Sequence, residues 1–108
     1  MLNPDEIYRT LEKAGNDWSD KKAAFDALDR ITKSVLADIL VSFMDSGLSR
    51  AESETRGLAS QVYKSHLASV SAAHKLYLQA QVLWTNLQTL AELRRSEEST
   101  RRAEINLR

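Results

Sequence analysis

The chain has 108 residues, with 15 basic and 15 acidic side chains, three glycines, one proline and no cysteine. This length fits one domain with a modest core, and so few glycines and prolines argue against a many-turned β fold, so helices are expected. The absence of cysteine excludes disulfides, thiol catalysis and zinc–thiolate sites.

The charges are unevenly distributed along the chain. Residues 1–54 carry eleven acids and seven bases, whereas residues 55–108 carry four acids and eight bases. This asymmetry suits antiparallel association of the two halves, and it also leaves the C-terminal segment basic. The first residues lack the pattern of a signal peptide, and no apolar stretch approaches the roughly 20 residues that cross a bilayer. We therefore expect a cytoplasmic protein with no membrane partner.

The first predicted helix covers about residues 4–45. Asn3 is a candidate N-cap, Pro4 suits the first helical position, and two acids occupy the first turn. The apolar residues follow the 4-3 spacing of a coiled-coil seam, which does not change phase at Gly15. One helix is therefore favoured, although Gly15 could end a short helix and Asp17 could cap a second one. The seam consists of Ile7, Leu11, Ala14, Trp18, Lys21, Phe25, Leu28, Thr32, Val35 and Ile39.

A turn and a short connecting helix are predicted next. In the stretch "DSGLS", Gly47 can supply the left-handed residue that ends a helix. Ser49 and Glu52 then form a capping-box pattern, which predicts a short helix over about residues 49–60. Its inward-facing residues are predicted to be Leu58 and Ala59.

The last predicted helix covers about residues 61–105 and is poor in charge. Between Ser65 and Ala91 its only formally charged residue is Lys75. One apolar seam contains Tyr63, Leu67, Val70, Tyr77, Trp84 and Ala91. A second contains Ala73, Leu76, Ala80, Leu83, Leu87 and Leu90. A hairpin partner covers only one seam well, so the second predicts a contact between subunits.

The predicted fold is therefore all-α, with one helical domain over residues 1–108. It is a long antiparallel, coiled-coil-like hairpin with a short connecting helix, assembled into an oligomeric helical bundle. The predicted oligomer interface consists of Leu76, Ala80, Leu83, Leu87 and Leu90. The alternative is a neutral solvent-exposed face, in which serine, glutamine and asparagine replace charged residues.

Catalytic and metal-binding patterns are scarce in this sequence. His66 and His74 are eight residues apart on a helix, about 80° from one another around its axis, so they cannot chelate one metal within a subunit. His74 could still join a symmetric site between subunits. No metalloprotease, P-loop, dinucleotide-binding or nucleophile-elbow motif occurs, so no enzyme, cofactor or metal is expected. Trp18 and Trp84 lie on seams, which favours core packing over a stacking platform for bases.

The segment "RRSEESTRR" at residues 94–102 allows two interpretations. Its glutamates and arginines are spaced to form ion pairs four residues apart, as on a solvated helix end. The same arginines could instead form a ridge that binds an acidic protein partner or nucleic acid. We call this set the arginine ridge: Arg94, Arg95, Arg101, Arg102 and Arg108. The solvated helix end is favoured, and nucleic acid is the less favoured partner.

The sequence resembles a group of small phage and prophage proteins. The resembling stretches are "YRTLEKAGNDWSDKKAAFDALD", "SVLADIL", "SRAESETRGLASQVYKSHL" and "STRRAEINLR". The resemblance implies a gene near recombination or single-strand-binding genes and a location in the host cytoplasm, but it carries over no site residues. The favoured hypothesis is a non-enzymatic helical interaction protein that binds itself and an unknown protein partner. The alternatives are an accessory nucleic-acid-binding protein and an enzyme with a site between subunits.

Overall fold

The computed structural model describes residues 3–107, and all four of its regular elements are α-helices. They are α1 (Pro4–Arg30), α2 (Thr32–Asp45), α3 (Arg50–Ala59) and α4 (Gln61–Leu107). No β-strand occurs among the described residues, so the predicted all-α class is confirmed. The bounds of α3 and α4 lie within two residues of the predicted ones.

The start of α1 is a reciprocal capping box. The backbone N–H of Glu6 donates to Asn3 Oδ1 at 2.9 Å, and the N–H of Asn3 donates to Glu6 Oε2 at 3.3 Å. These two hydrogen bonds satisfy donors that the first helical turn leaves without a backbone partner. The predicted N-cap at Asn3 is confirmed.

The turn between α2 and α3 also forms as the sequence indicates. Gly47 has a φ of 101°, a left-handed conformation that favours glycine. The N–H of Gly47 donates to the Met44 carbonyl at 3.0 Å, and that of Leu48 donates to the Phe43 carbonyl at 3.3 Å. This pair of bonds is a Schellman motif. Ser49 then caps α3, where its Oγ accepts a hydrogen bond from the N–H of Glu52 at 3.2 Å.

The single helix predicted over residues 4–45 is interrupted at Ile31. Gly15 lies within α1, so the helix continues through it as predicted, and the break comes sixteen residues later. Thr32 Oγ1 donates to the Leu28 carbonyl at 3.3 Å and lies 2.9 Å from His66 Nε2. Thr10, Thr55 and Thr89 make the same bond to the carbonyl four residues back within unbroken helices, so the contact with His66 is what distinguishes Thr32 from them.

The chain forms two compact units, which we describe separately. The first contains the residues up to Asp20 and those from Leu78 onward, and the second is Lys21–Tyr77. Both α1 and α4 contribute to each unit. The single domain over residues 1–108 stays a prediction.

In the first unit, α1 and α4 pair in antiparallel directions around two stacked tryptophans. The ring centroids of Trp18 and Trp84 are 4.7 Å apart, with an interplanar angle of 9°. Toward the start of α1, Ile7 lines the same pocket as Ala91, seven residues beyond Trp84. A Cβ atom on Gly15 would lie 3.0 Å from Trp84 Nε1, so the glycine gives this indole its close approach to α1. Both tryptophans are half-buried and pack on one another between the two helices.

In the second unit, α4 again runs antiparallel to the first part of the chain. The Phe25 ring lies 4.7 Å from the His74 ring and 5.9 Å from the Tyr77 ring, centroid to centroid. Farther along the chain, Thr32 contacts His66, which precedes His74 in α4. Residues later in the first part of the chain therefore contact residues earlier in α4, as in an antiparallel helical hairpin.

The helix α3 packs on α2 through two small residues, Ser53 and Gly57. Ser53 is fully buried and Gly57 is buried, whereas Leu58 and Ala59 are exposed. The prediction that Leu58 and Ala59 face inward is therefore wrong. Small side chains let α3 approach α2 closely, since a Cβ atom on Gly57 would lie only 3.4 to 3.6 Å from side-chain atoms of α2. Those atoms belong to Leu36, Ile39 and Leu40.

Replacing Gly57 with alanine is expected to raise the free energy of unfolding by about 1 kcal/mol. The added methyl group would make ordinary van der Waals contacts with α2, and alanine favours a helix over glycine by roughly this amount. Urea unfolding followed by circular dichroism measures the change. The matched control is Gly47→Ala, which should lower stability by about 1 kcal/mol because a left-handed residue disfavours a Cβ. Destabilisation by Gly57→Ala would contradict this packing of α3 on α2.

Candidate interaction surface

One continuous stripe of α4 faces inward. Its members follow a regular 3-4 spacing, and all are buried or half-buried. They are Tyr63, His66, Val70, Ala73, Tyr77, Ala80, Trp84, Leu87, Ala91 and Arg94. The stripe takes residues from both predicted seams and leaves Leu67 of the first seam exposed. The helix α4 therefore has one inward stripe and one outward face. Residues of both predicted seams occur in the inward stripe.

The predicted oligomer interface stays a prediction, and its five residues differ in their exposure within the single chain. Ala80 is only 6% exposed and Leu87 is half-buried, so both belong to the inward stripe. The 3-4 register that brings Trp84 onto Trp18 also turns these two positions inward. Leu83, Leu90 and Leu76 are 53%, 58% and 50% exposed, and they are available to a partner.

An uncharged face with three exposed leucines runs along the outside of α4 in the first unit. Its residues follow a 4-3-4-3 spacing and all are exposed, as in a coiled-coil seam that has no partner. We call this set the outer leucine face: Gln79, Leu83, Asn86, Leu90 and Leu93. The prediction missed Gln79, Asn86 and Leu93, although continuing the spacing from Leu83 and Leu90 would have found them.

A groove of about 800 Å³ adjoins the outer leucine face within the first unit. Its α4 side consists of Leu83 and Leu87, and Ala14 is among its α1 residues. The rest of its lining comes from polar residues of α1, namely Arg9, Thr10, Glu12, Lys13, Asn16, Asp17 and Asp20. A smaller pocket of about 140 Å³ shares Thr10 and Leu87 with it and adds Leu90. The groove therefore has an apolar α4 side and a charged α1 side.

The arginine ridge lies at the C-terminal end of α4. Arg94 is half-buried, whereas Arg95, Arg101 and Arg102 are exposed, and Arg108 lies outside the described residues. Acidic residues interrupt the ridge, since Glu98 lines a pocket with Arg94 and Arg95. Glu97 and Glu104 similarly line another pocket with Arg101. The ridge is therefore a mixed surface of both charges.

The two histidines make contacts within the second unit. His66 Nε2 is 2.9 Å from the Thr32 hydroxyl, and the His74 ring packs against Phe25. Within residues 3–107, no group of three or more histidine or acidic residues is arranged to hold a metal ion. In the same range, no helix is long and apolar enough to cross a membrane.

Comparisons with protein-family models, with curated proteins and with solved structures found no match to this chain. The resemblance to phage and prophage proteins stays a prediction. Two exposed surfaces, the outer leucine face and the arginine ridge, are therefore the features from which a function can be inferred.

Proposed function

We propose that the protein is a non-enzymatic helical assembly protein that binds a second copy of itself through the outer leucine face. The observation that carries this proposal is the exposure of Leu83, Leu90 and Leu93, each more than half exposed, at coiled-coil spacing on one helix. A helix that borders solvent normally shows charged residues on its outer face. Here the outer face is apolar, as expected of a surface that another helix covers.

The surroundings of this face favour a partner over a neutral solvent-exposed face. Val82 is 59% exposed and Leu78 is 41% exposed, so apolar side chains extend beyond the outer leucine face. A helix that is hydrophobic on several sides is typically buried within a larger assembly. A neutral solvent-exposed face would explain Gln79 and Asn86, but it would not explain three leucines that are each more than half exposed.

A rough estimate of the free energy of dimerisation indicates which surfaces the interface must include. Full burial of a half-exposed leucine contributes about 1 kcal/mol, so three leucines from each of two copies contribute several kcal/mol. Association costs roughly 4 to 15 kcal/mol of lost freedom. The leucines alone would give a weak complex, so a stable one should also bury the adjoining groove.

Sedimentation or light scattering over a range of concentrations tests this proposal. We expect a dimer or larger species at high micromolar concentration, with dissociation on dilution. A protein that stays monomeric at that concentration would overturn the proposal. In that case an unknown protein partner would remain as the candidate that covers the outer leucine face.

The exposed arginines support a second candidate function, that of an accessory nucleic-acid-binding protein. Arg95, Arg101 and Arg102 are exposed on one helix end, and guanidinium groups suit phosphate contacts. The interspersed glutamates reduce the local positive potential, so this function is the less favoured one. The sequence resemblance implies a phage gene near recombination or single-strand-binding genes, and that setting would suit this second function.

Replacing the exposed Arg95, Arg101 and Arg102 together with glutamine is expected to leave helix content nearly unchanged, because exposed charges contribute little to stability. We expect neither the wild type nor this variant to bind DNA at about 50 mM salt, where electrostatic binding is strong. A DNA mobility-shift titration at several salt concentrations measures this. Wild-type binding that weakens steeply with salt, together with a shallower slope for the variant, would instead support the second function.

A further inference from the structure

We propose that two copies pair antiparallel, related by a two-fold axis that passes beside Asn86 of α4 and Asn16 of α1. This inference rests on the proposed self-association and specifies its geometry. The partner surface is then the same outer leucine face and groove on a second copy, as in an isologous dimer.

The outer leucine face is nearly symmetric about Asn86. An antiparallel copy centred there brings Leu83 opposite Leu90 of the other copy, and Leu90 opposite Leu83. Gln79 then lies opposite Leu93, and the two Asn86 side chains meet near the axis. An asparagine at the centre of a leucine seam can fix the register of a coiled coil, because a shifted register leaves its amide buried without a partner.

Two of the five charged residues that line the groove show the same symmetry. Lys13 and Asp20 both line it, seven residues apart on α1, and Asn16 lies between them along the helix. Asn16 shares the groove with Leu83 and Leu87, the residues on either side of Asn86, so one axis can pass close to both asparagines. Around that axis Lys13 of one copy approaches Asp20 of the other, and each dimer contains two such pairs.

A parallel pair would place the same residues differently. The two-fold axis would then run along the helices, so α1 of one copy would face α4 of the other and Lys13 would not meet Asp20. The charged α1 side of each groove would lie against the outer leucine face, where its charges would be buried without a partner. The charge pattern of the groove therefore favours the antiparallel arrangement.

Disulfide crosslinking can test the direction of pairing, because the chain has no cysteine of its own. Leu83→Cys and Leu90→Cys proteins, one of them carrying a mass tag, are mixed and oxidised mildly. We expect the mixed disulfide to exceed either homodimer at least fivefold, and Asn86→Cys to crosslink with itself. Thr85→Cys is the control, since Thr85 lies two residues beyond Leu83, about 200° around the helix, and should crosslink poorly.

The outcomes separate this inference from the proposed function. A wild type that sediments as a dimer while the homodimeric disulfides of Leu83→Cys and Leu90→Cys predominate would overturn the antiparallel geometry alone. A wild type that sediments as a monomer would overturn both.

A charge exchange provides an independent test of the axis. Lys13→Glu and Asp20→Lys should each weaken dimerisation, by roughly tenfold at low salt, because each places like charges opposite one another. The double variant should restore wild-type affinity. Residues seven apart on one helix do not pair with each other, so such rescue reports a contact between copies. Weakening by both single variants without rescue in the double variant would contradict the geometry.

Discussion

Replacing Trp84 with alanine is expected to lower the free energy of unfolding by about 3 kcal/mol. The substitution removes the indole that stacks on Trp18 at 4.7 Å, and it leaves a cavity against Gly15 that glycine has no side chain to fill. Truncation of a core tryptophan typically costs about 3 to 5 kcal/mol, and the partial exposure of Trp84 suggests the lower end. Chemical denaturation at one fixed protein concentration measures the loss.

The control for this prediction is Trp84→Phe, which keeps an aromatic ring beside Trp18. We expect it to lower stability by less than half as much as alanine does. Combining Trp84→Ala with Trp18→Ala should cost less than the sum of the two single changes, because one contact is removed in both. Additive losses would mean that the two rings do not stabilise one another.

Replacing Leu83 with glutamate is expected to dissociate the assembly and leave the monomer folded. Leu83 is 53% exposed within the single chain, so glutamate there reaches water in the monomer. In a dimer the same carboxylate would be buried among leucines without a partner, which costs several kcal/mol. Sedimentation should therefore show a monomer with unchanged helical circular dichroism.

The matched comparison is Leu87→Glu, one helical turn away. Leu87 belongs to the inward stripe, so glutamate there should destabilise the single chain as well as any assembly. Thr85→Glu, on a different side of α4, should change neither property. Equal effects of Leu83→Glu and Leu87→Glu on folding would show that the outer leucine face is part of the core of one chain.

The seam of α1 was predictable from the sequence because that helix has a single apolar stripe. Each of its members in α1 is buried or half-buried, from Ile7 through Trp18 to Leu28, and charged residues occupy much of the opposite side. The caps at Asn3 and Ser49 and the left-handed Gly47 were equally predictable. Their hydrogen bonds form between residues close in the chain, so local sequence contains the necessary information.

The register of α4 could not be predicted in the same way. Apolar residues occur on several sides of this helix, so more than one stripe satisfies the periodicity of a seam. The inward stripe is decided by contacts with residues distant in the chain, such as that of Trp84 with Gly15. For this reason the sequence did not reveal that Ala80 is buried and Leu87 half-buried within the single chain, whereas Leu83 and Leu90 are exposed.

The packing of α3 illustrates a second limit of sequence patterns. Hydrophobicity identifies large apolar residues as candidates for the core, so it selected Leu58 and Ala59. The buried positions are Ser53 and Gly57 instead, because the space between closely packed helices admits only small residues there. Such a requirement depends on the distance between two helices, which no local pattern records.

The stacked tryptophans give the protein an intrinsic optical probe of its first unit. Trp18 and Trp84 are the only two tryptophans in the chain, and both lie in that unit, whereas the second unit contains tyrosines such as Tyr63 and Tyr77. Two indoles held nearly parallel couple their electronic transitions and should give a circular dichroism signal that disappears when they separate. Backbone circular dichroism reports both units at once, so comparing the two signals during unfolding measures whether the units melt as one cooperative structure.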